Sequence, residues 1–148
     1  MLVKTFGSAV YGVEAITITI EVNWLSSSGK DMMIVGLPDN AVKESLQRIE
    51  STFKTNNFTV PRTKVVVNLA PADIKKSGTA FDLAIALGIL GASEQLENRE
   101  ALSQYVIMGE LALDGEIRSI KGALPIAIQA RKEGFKGLIV PKMNAKEA

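Results

Sequence analysis

Histidine and cysteine are both absent from the 148 residues of the chain. Without histidine, the chain lacks the commonest general base and the commonest zinc ligand, so a Ser-His-Asp triad is excluded and we expect no metal site. Without cysteine, it forms neither disulfide bonds nor a thiolate nucleophile, which fits a cytoplasmic protein. Enzymes that depend on either residue are therefore excluded.

Long apolar runs and a strong net charge are missing as well. The most apolar stretch, residues 79–92, contains Asp82 and is too short to cross a bilayer. The first 15 residues lack the apolar core of a signal peptide, so we expect no membrane association. The 17 basic and 16 acidic residues leave a net charge of +1, which argues against a strongly basic nucleic-acid-binding domain.

Hydrophobic residues make up 47% of the chain and aromatic residues only 5%, so aliphatic side chains must fill the core. Residues 13–22 alternate between apolar and polar side chains, which predicts a half-buried strand. A short strand at residues 32–35 is predicted to form a hairpin with it, through a turn at residues 26–31. Asp114-Gly115 between apolar runs predicts another hairpin. Further strands are predicted at residues 1–6, 64–69, 105–113, 116–120 and 137–140.

Three segments have helical patterns. An apolar stripe from Val42 to Phe53 follows the capping pair Asp39-Asn40 and predicts an amphipathic helix with Arg48 on its outer face. Residues 81–90 are apolar nearly all round, which predicts a buried central helix, and residues 123–132 predict a third helix. The order of elements predicts one α/β (α+β) domain with a mixed sheet and packed helices over residues 1–148.

Four segments together resemble one protein family. They are FGSA at residues 6–9, VGLPDNAVKES at 35–45, NLAPADI at 68–74, and GELALDG at 109–115 with KGALP at 121–125. With these motifs the chain resembles the N-terminal domain of the YifB/ComM family, the Mg-chelatase-like AAA+ ATPases. The resemblance implies a fold like domain 2 of ribosomal protein S5, which also occurs in the Lon protease domain and in the C-terminal domain of RadA.

The same resemblance implies an AAA+ ATPase module that follows this domain and binds ATP and Mg²⁺. It also implies that the whole protein is a hexameric DNA helicase, which promotes branch migration during natural transformation. The expected partners are therefore the protein's own AAA+ domain, further copies in a hexamer, and DNA. A domain that serves only as an oligomerisation scaffold is an alternative.

ATP binding by this chain itself would require a P-loop, whose backbone amides and lysine hold the phosphates. The nearest fragment is Gly29-Lys30, but Trp24 stands where the first glycine belongs and Asp31 replaces the serine or threonine. We interpret the fragment as part of a turn. We therefore expect no cofactor in this chain.

Peptidase activity is the second chemistry that the resemblance raises, because Lon proteases use a serine nucleophile and a lysine base. Comparison with Lon puts the serine position at Gly78 and the lysine position at Leu124, neither of which can do the chemistry. A displaced dyad of Ser77 with Lys76 or Lys121 is the alternative, although adjacent residues rarely face each other. We expect a non-catalytic domain, with Ser77 in a loop between solvated lysines.

Charged residues suggest two further roles. Asp82 is predicted to be structural, interacting with the helix dipole or pairing with a lysine of Lys75-Lys76. Glu110 and Asp114 flank the predicted hairpin but lack the further ligands that a metal site needs. The candidate DNA contacts are a first group near one end of the sheet and a second group around the last hairpin: Arg62, Lys64, Lys75 and Lys76, then Arg118 and Lys121.

Overall fold

A computed structural model describes residues 1–25 and 31–148. Most of the predicted turn after β2, including the Gly29-Lys30 fragment, falls on residues 26–30 and lies outside the described residues. The strands are β1 (Leu2–Tyr11), β2 (Glu14–Trp24), β3 (Met32–Val35), β4 (Val65–Ala70), β5 (Tyr105–Ile107), β6 (Glu110–Leu111), β7 (Ile117–Arg118) and β8 (Gly137–Ile139). The α-helices are α1 (Asn40–Lys43), α2 (Ser45–Thr55), α3 (Asp82–Ala92) and α4 (Ala123–Lys132).

Six of the strands form one mixed sheet in the order β3-β4-β2-β1-β5-β8. β2 is antiparallel to both of its neighbours, β1 and β4, whereas the pairs β3–β4, β1–β5 and β5–β8 are parallel. The β1–β2 ladder is continuous from Leu2↔Asn23 to Tyr11↔Glu14. The mixed sheet with packed helices confirms the predicted fold class.

The predicted hairpin between β2 and β3 is wrong. β4 lies between the two strands and pairs antiparallel with β2 and parallel with β3. Strand β1 is also longer than the predicted segment and continues through Gly7. The Phe81 ring packs against Gly7, where a Cβ would lie 2.9 Å from Phe81 Cδ1. The second predicted hairpin is confirmed, since β6 and β7 pair antiparallel around Asp114-Gly115.

Helices cover both faces of the sheet. α3 is buried along nearly its whole length and packs with α2 against one face, as the all-round apolar sequence of residues 81–90 predicts. α4 covers the other face, so Ile107 belongs to the first core and its neighbour Val106 to the second. The helix predicted from residue 40 is interrupted at Glu44. Among the described residues, no helix is long and apolar enough to cross a bilayer.

Candidate functional site

A cleft of about 350 Å³ opens between the end of β1, the loop before α3 and the segment after β7. All four motif segments meet at or beside this cleft. Ser8 and Ala9 line it from the first motif, and Glu110 and Lys121 from the last. Asp39 of the second motif accepts from Gly78 N–H, and Pro71 of the third accepts from Lys76, the residue before Ser77. The lining residues are Ser8–Tyr11, Ser77–Phe81, Met108, Glu110 and Ser119–Lys121.

Lys76 lies in the loop before the cleft, and its side chain is fully buried. The Nζ atom donates to the carbonyl oxygen of Gly36 at 2.8 Å and to that of Pro71. Burial lowers the pKa of Lys76, and the nearby Asp73 carboxylate opposes that shift. Lys76 is therefore not the solvated lysine that the sequence predicts, because its ammonium group ties two loops together.

The loop at residues 36–39 is fixed against the Lys76 loop by backbone contacts. Lys76 N–H donates to Leu37 O, and Asp39 N–H donates to Lys76 O, both at 2.9 Å. The Asp39 carboxylate caps α1 by accepting from Val42 N–H at 2.8 Å, and its other oxygen accepts from Gly78 N–H at 3.2 Å. The carboxylate that caps α1 thus also positions the loop that lines the cleft.

Gly36 makes this loop packing possible. Its φ of +101° is unfavourable for residues with a Cβ, and a Cβ at this position would lie 2.1 Å from the carbonyl oxygen of Leu69. Only glycine allows the chain to turn this close to β4. The Gly-Leu-Pro-Asp motif is therefore explained by backbone packing.

Asp82, at the start of α3, is buried in a second polar cluster. Arg48 of α2 binds it with Nε 2.7 Å from Oδ2 and NH2 2.9 Å from Oδ1. Ser45 Oγ donates to Oδ1 at 2.6 Å, and Leu111 N–H donates to Oδ2 at 3.0 Å. Asp82 raises the pKa of Arg48, chiefly through these hydrogen bonds. The predicted pairing of Asp82 with Lys75 or Lys76 is wrong, and Arg48 faces this cluster instead of solvent.

Comparison with known proteins identifies the family. The family described as subunit ChlI of Mg-chelatase matches residues 20–144. The chain is 43% identical to the competence protein ComM of Haemophilus influenzae over 147 residues, which are 99% of this chain and 28% of that protein. It is 42% identical to YifB of Escherichia coli over 139 residues, or 94% of this chain and 27% of that protein.

The chain belongs to the ChlI-like YifB/ComM family. It spans about a quarter of the length of these two relatives, 28% and 27% respectively. A Lon protease of Mycoplasmopsis agalactiae is also similar, at 25% identity over 148 residues, covering 95% of this chain and 14% of the protease.

The five dyad candidates do not share one location. Gly78 and Ser77 both line the cleft, and so does Lys121. Leu124 lies in α4 with 51% of its surface exposed and is not among the lining residues. Lys76 is adjacent to Ser77 in sequence, but its amine is bound to the carbonyl groups of two other loop residues. The residue pair that the cleft brings together is therefore Ser77 and Lys121.

The six candidate DNA contacts are also separated. Lys64 precedes β4 and Lys75 follows it, so the first group is divided between opposite ends of a six-residue strand, about 20 Å apart. Lys75 instead lies beside the cleft, where its carbonyl accepts from Tyr11 Oη at 3.1 Å. Burial removes Lys76 from the surface. The exposed residues near the cleft are Lys75, Arg118 and Lys121, and Arg62 is exposed at the far end of β4.

Residues for a metal or for ATP are not assembled in the described part of the chain. Residues 1–25 and 31–148 contain no group of three or more acidic side chains that could hold a metal ion. Trp24, where a P-loop would need its first glycine, is the last residue of β2.

The sequence did not reveal Tyr11 or Val10 as residues of the cleft, and Ser8 appeared in it only as part of the FGSA motif. They come from β1, whose length was underestimated, and no local pattern distinguishes the part of that strand that borders a cavity. The Gly7 position was the one available signal, because an isolated glycine within a strand often marks a close approach of another chain segment.

Proposed function

We propose that this chain is a non-catalytic accessory domain of a Mg-chelatase-like AAA+ ATPase. In this proposal the whole protein binds ATP and Mg²⁺ through an AAA+ module, assembles as a hexameric ring and acts on DNA as a ComM-type branch-migration helicase. The domain contributes to ring assembly and guides DNA. Membership of the YifB/ComM family supports the class of protein.

The buried amine of Lys76 is the observation on which the non-catalytic role depends. A lysine general base must have its amine near the serine hydroxyl and must be able to lose its proton. Burial favours proton loss from Lys76, but the amine donates to Gly36 O and Pro71 O. Among the described residues, Lys76 is the lysine whose pKa burial lowers, and its amine is held by these two carbonyl groups.

A Lon-type peptidase with a displaced Ser77-Lys121 dyad is the second candidate, because both residues line the cleft. Lys121 is exposed, however, so the desolvation that activates a lysine base is missing. Fluorophosphonate labelling and hydrolysis of fluorescent casein by the chain distinguish the two. We expect neither reaction; labelling that disappears in Ser77→Ala and in Lys121→Met would establish the peptidase instead.

ATP turnover tests the accessory role directly. We expect the 148-residue chain to release no phosphate from ATP, and a longer family member that contains the AAA+ module to release it. Phosphate release by the purified chain at the rate of the longer protein would contradict the proposal.

DNA guidance predicts that the basic residues beside the cleft matter more than those at the far end of β4. The double replacement Lys75→Glu and Lys121→Glu should weaken DNA binding by the ring and reduce its salt dependence, because fewer counterions are released. Arg62→Glu with Lys64→Glu is the matched control, with the same change in charge. Equal loss of affinity in both double variants would contradict guidance at the cleft.

A further inference from the structure

The outer face of α4 carries exposed aliphatic side chains. The inner face of the helix packs into the core on that side of the sheet through Ala123, Ile126 and Ala130. On the outer face, Leu124 and Ile128 are one helical turn apart and are 51% and 49% exposed. Val13 in the β1–β2 turn is 90% exposed and borders the same surface, since it lines a shallow pocket together with Pro125 and Ile128. We call Val13, Leu124 and Ile128 the α4 patch.

The sequence of α4 is typical of a helix that is covered on all sides. Residues 123–130 read ALPIAIQA and contain a single polar residue, Gln129, so the first two turns are apolar all round. A surface helix ordinarily has polar side chains opposite its buried stripe, whereas a helix that is apolar all round is ordinarily buried. α3 has such a sequence and is buried along nearly its whole length. The outer face of α4, by contrast, is half-exposed in the described part of the chain.

The C-terminal end of the chain lies close to the α4 patch. The buried Asn144 side chain accepts from Ile120 N–H and donates to Ile120 O, both at 2.9 Å. Leu124 is four residues after Ile120, and Ala148 is four residues after Asn144. Four residues span at most about 14 Å of chain, so Leu124 and Ala148 each lie within about that distance of the Ile120–Asn144 contact.

The composition of the patch fits a protein surface as its cover. Its centre is aliphatic, and the charged residues that line the adjoining pocket, Glu14 and Lys132, are of opposite sign. An apolar centre with a polar rim of mixed charge is typical of protein–protein contacts. Aliphatic side chains offer no hydrogen bond to phosphate groups, which disfavours DNA at this surface.

We propose that the polypeptide following residue 148, which is the AAA+ module in the proposed function, packs on the α4 patch and fixes the two domains to each other. The inference therefore rests on the proposed function and assigns the surface that meets the module. The matched part is 28% of ComM, so most of that relative lies outside it and is large enough to cover the patch. A domain tethered this close to the patch meets it at a high effective concentration.

Cysteine labelling tests the docking, because the 148 residues contain no cysteine of their own. The variant Ile128→Cys is prepared in the 148-residue chain and in the full-length protein. Its reaction with N-ethylmaleimide is followed by mass spectrometry of the peptide that contains position 128. We expect a rate at least about tenfold lower in the full-length protein, because the reaction then requires transient undocking. Met33→Cys, at a 39% exposed position on the outer strand β3, is the control and should react alike in both proteins.

A second set of variants locates the contact. Val13→Cys should be protected in the full-length protein, and the added pair Leu124→Gln and Ile128→Gln should restore its reactivity to the rate in the 148-residue chain. Leu113→Gln with Met33→Gln replaces two other exposed apolar side chains and should leave the protection intact. All four replaced side chains are exposed, so urea unfolding of the 148-residue chain should be the same for both pairs.

Three results would overturn the inference. The first is an equal reaction rate at position 128 in the two proteins, and the second is equal protection at positions 33 and 128. The third is protection that disappears when the full-length protein is diluted until light scattering shows a monomer, since a second copy then covers the patch. ATP hydrolysis is measured in the same samples. A full-length protein that hydrolyses ATP but leaves position 128 reactive contradicts the docking alone, whereas one that does not hydrolyse ATP contradicts the proposed function.

Discussion

Replacement of Arg48 with methionine tests the buried cluster that joins α2 to α3. The Asp82 side chain is fully buried and that of Arg48 is 17% exposed, so the replacement leaves a carboxylate without its cation in the interior. Loss of one partner of a buried ion pair costs about 3–5 kcal/mol. The hydrogen bonds from Ser45 and Leu111 remain and stabilise the carboxylate, so we expect a loss near the lower limit, about 3 kcal/mol.

Urea unfolding followed by the fluorescence of Trp24, the single tryptophan, measures this change. A loss of about 3 kcal/mol corresponds to a fall in melting temperature of roughly 6–12 °C for a domain of this size. Lys54→Met is the matched control, because it removes the cation of an exposed pair whose Nζ lies 3.2 Å from Glu50 Oε1 and whose lysine side chain is 67% exposed. That change should cost less than about 0.5 kcal/mol.

A second replacement separates the buried charge from lost packing. Asp82→Asn in the Arg48→Met background removes the unpaired charge and keeps an acceptor for Ser45 or Leu111. We expect the double variant to recover at least about 1 kcal/mol relative to Arg48→Met alone. The reasoning is refuted if Arg48→Met costs no more than Lys54→Met, or if the double variant is less stable than Arg48→Met.

Two further predictions concern the loops behind the cleft. Lys76→Met should lower the free energy of unfolding by about 1–3 kcal/mol at neutral pH, because the carbonyl groups of Gly36 and Pro71 lose a charged donor. The pKa of Lys76 is lowered in the folded state, so the unfolded chain binds more protons between that pKa and the ordinary value of 10.5. The stability advantage of the wild type over Lys76→Met, measured by urea unfolding, should therefore grow as pH rises through this window. A stability advantage that shrank over the same pH range would refute the desolvation argument. Gly36→Ala should destabilise far more than Gly134→Ala in thermal unfolding: both glycines have positive φ, but a Cβ on Gly36 would meet Leu69 O at 2.1 Å, whereas one on Gly134 meets nothing within 4 Å. Similar costs for the two would show that strain in φ alone decides the effect.

Local features explain which parts of the fold could be predicted from the sequence. The hairpin around Asp114-Gly115 depends on turn residues that are adjacent in the chain, and α3 depends on an apolar run that only a buried helix satisfies. The pairing of β3 depends instead on β4, which begins 30 residues after β3 ends. Proximity in sequence favoured a β2–β3 hairpin, but the parallel β3–β4 pair is the one that forms.

The candidate site was less predictable because its polar contacts join distant residues. Arg48 and Asp82 are 34 residues apart, and Lys76 is 40 residues from Gly36. In the sequence, Arg48 has the spacing of an outward-facing helical residue and Lys76 resembles any loop lysine. Burial of the two side chains follows only from the tertiary positions of their acceptors, which no local pattern contains.

The two clusters, centred on Lys76 and Asp82, together explain how the walls of the cleft are held in place. Lys76 fixes the 36–39 loop against the loop that leads into α3, and Asp82 fixes α3 against α2 and the backbone of β6. Both clusters hold the cleft walls, and neither uses a group that faces its interior. The shape of the cleft is therefore set largely by side chains outside its lining.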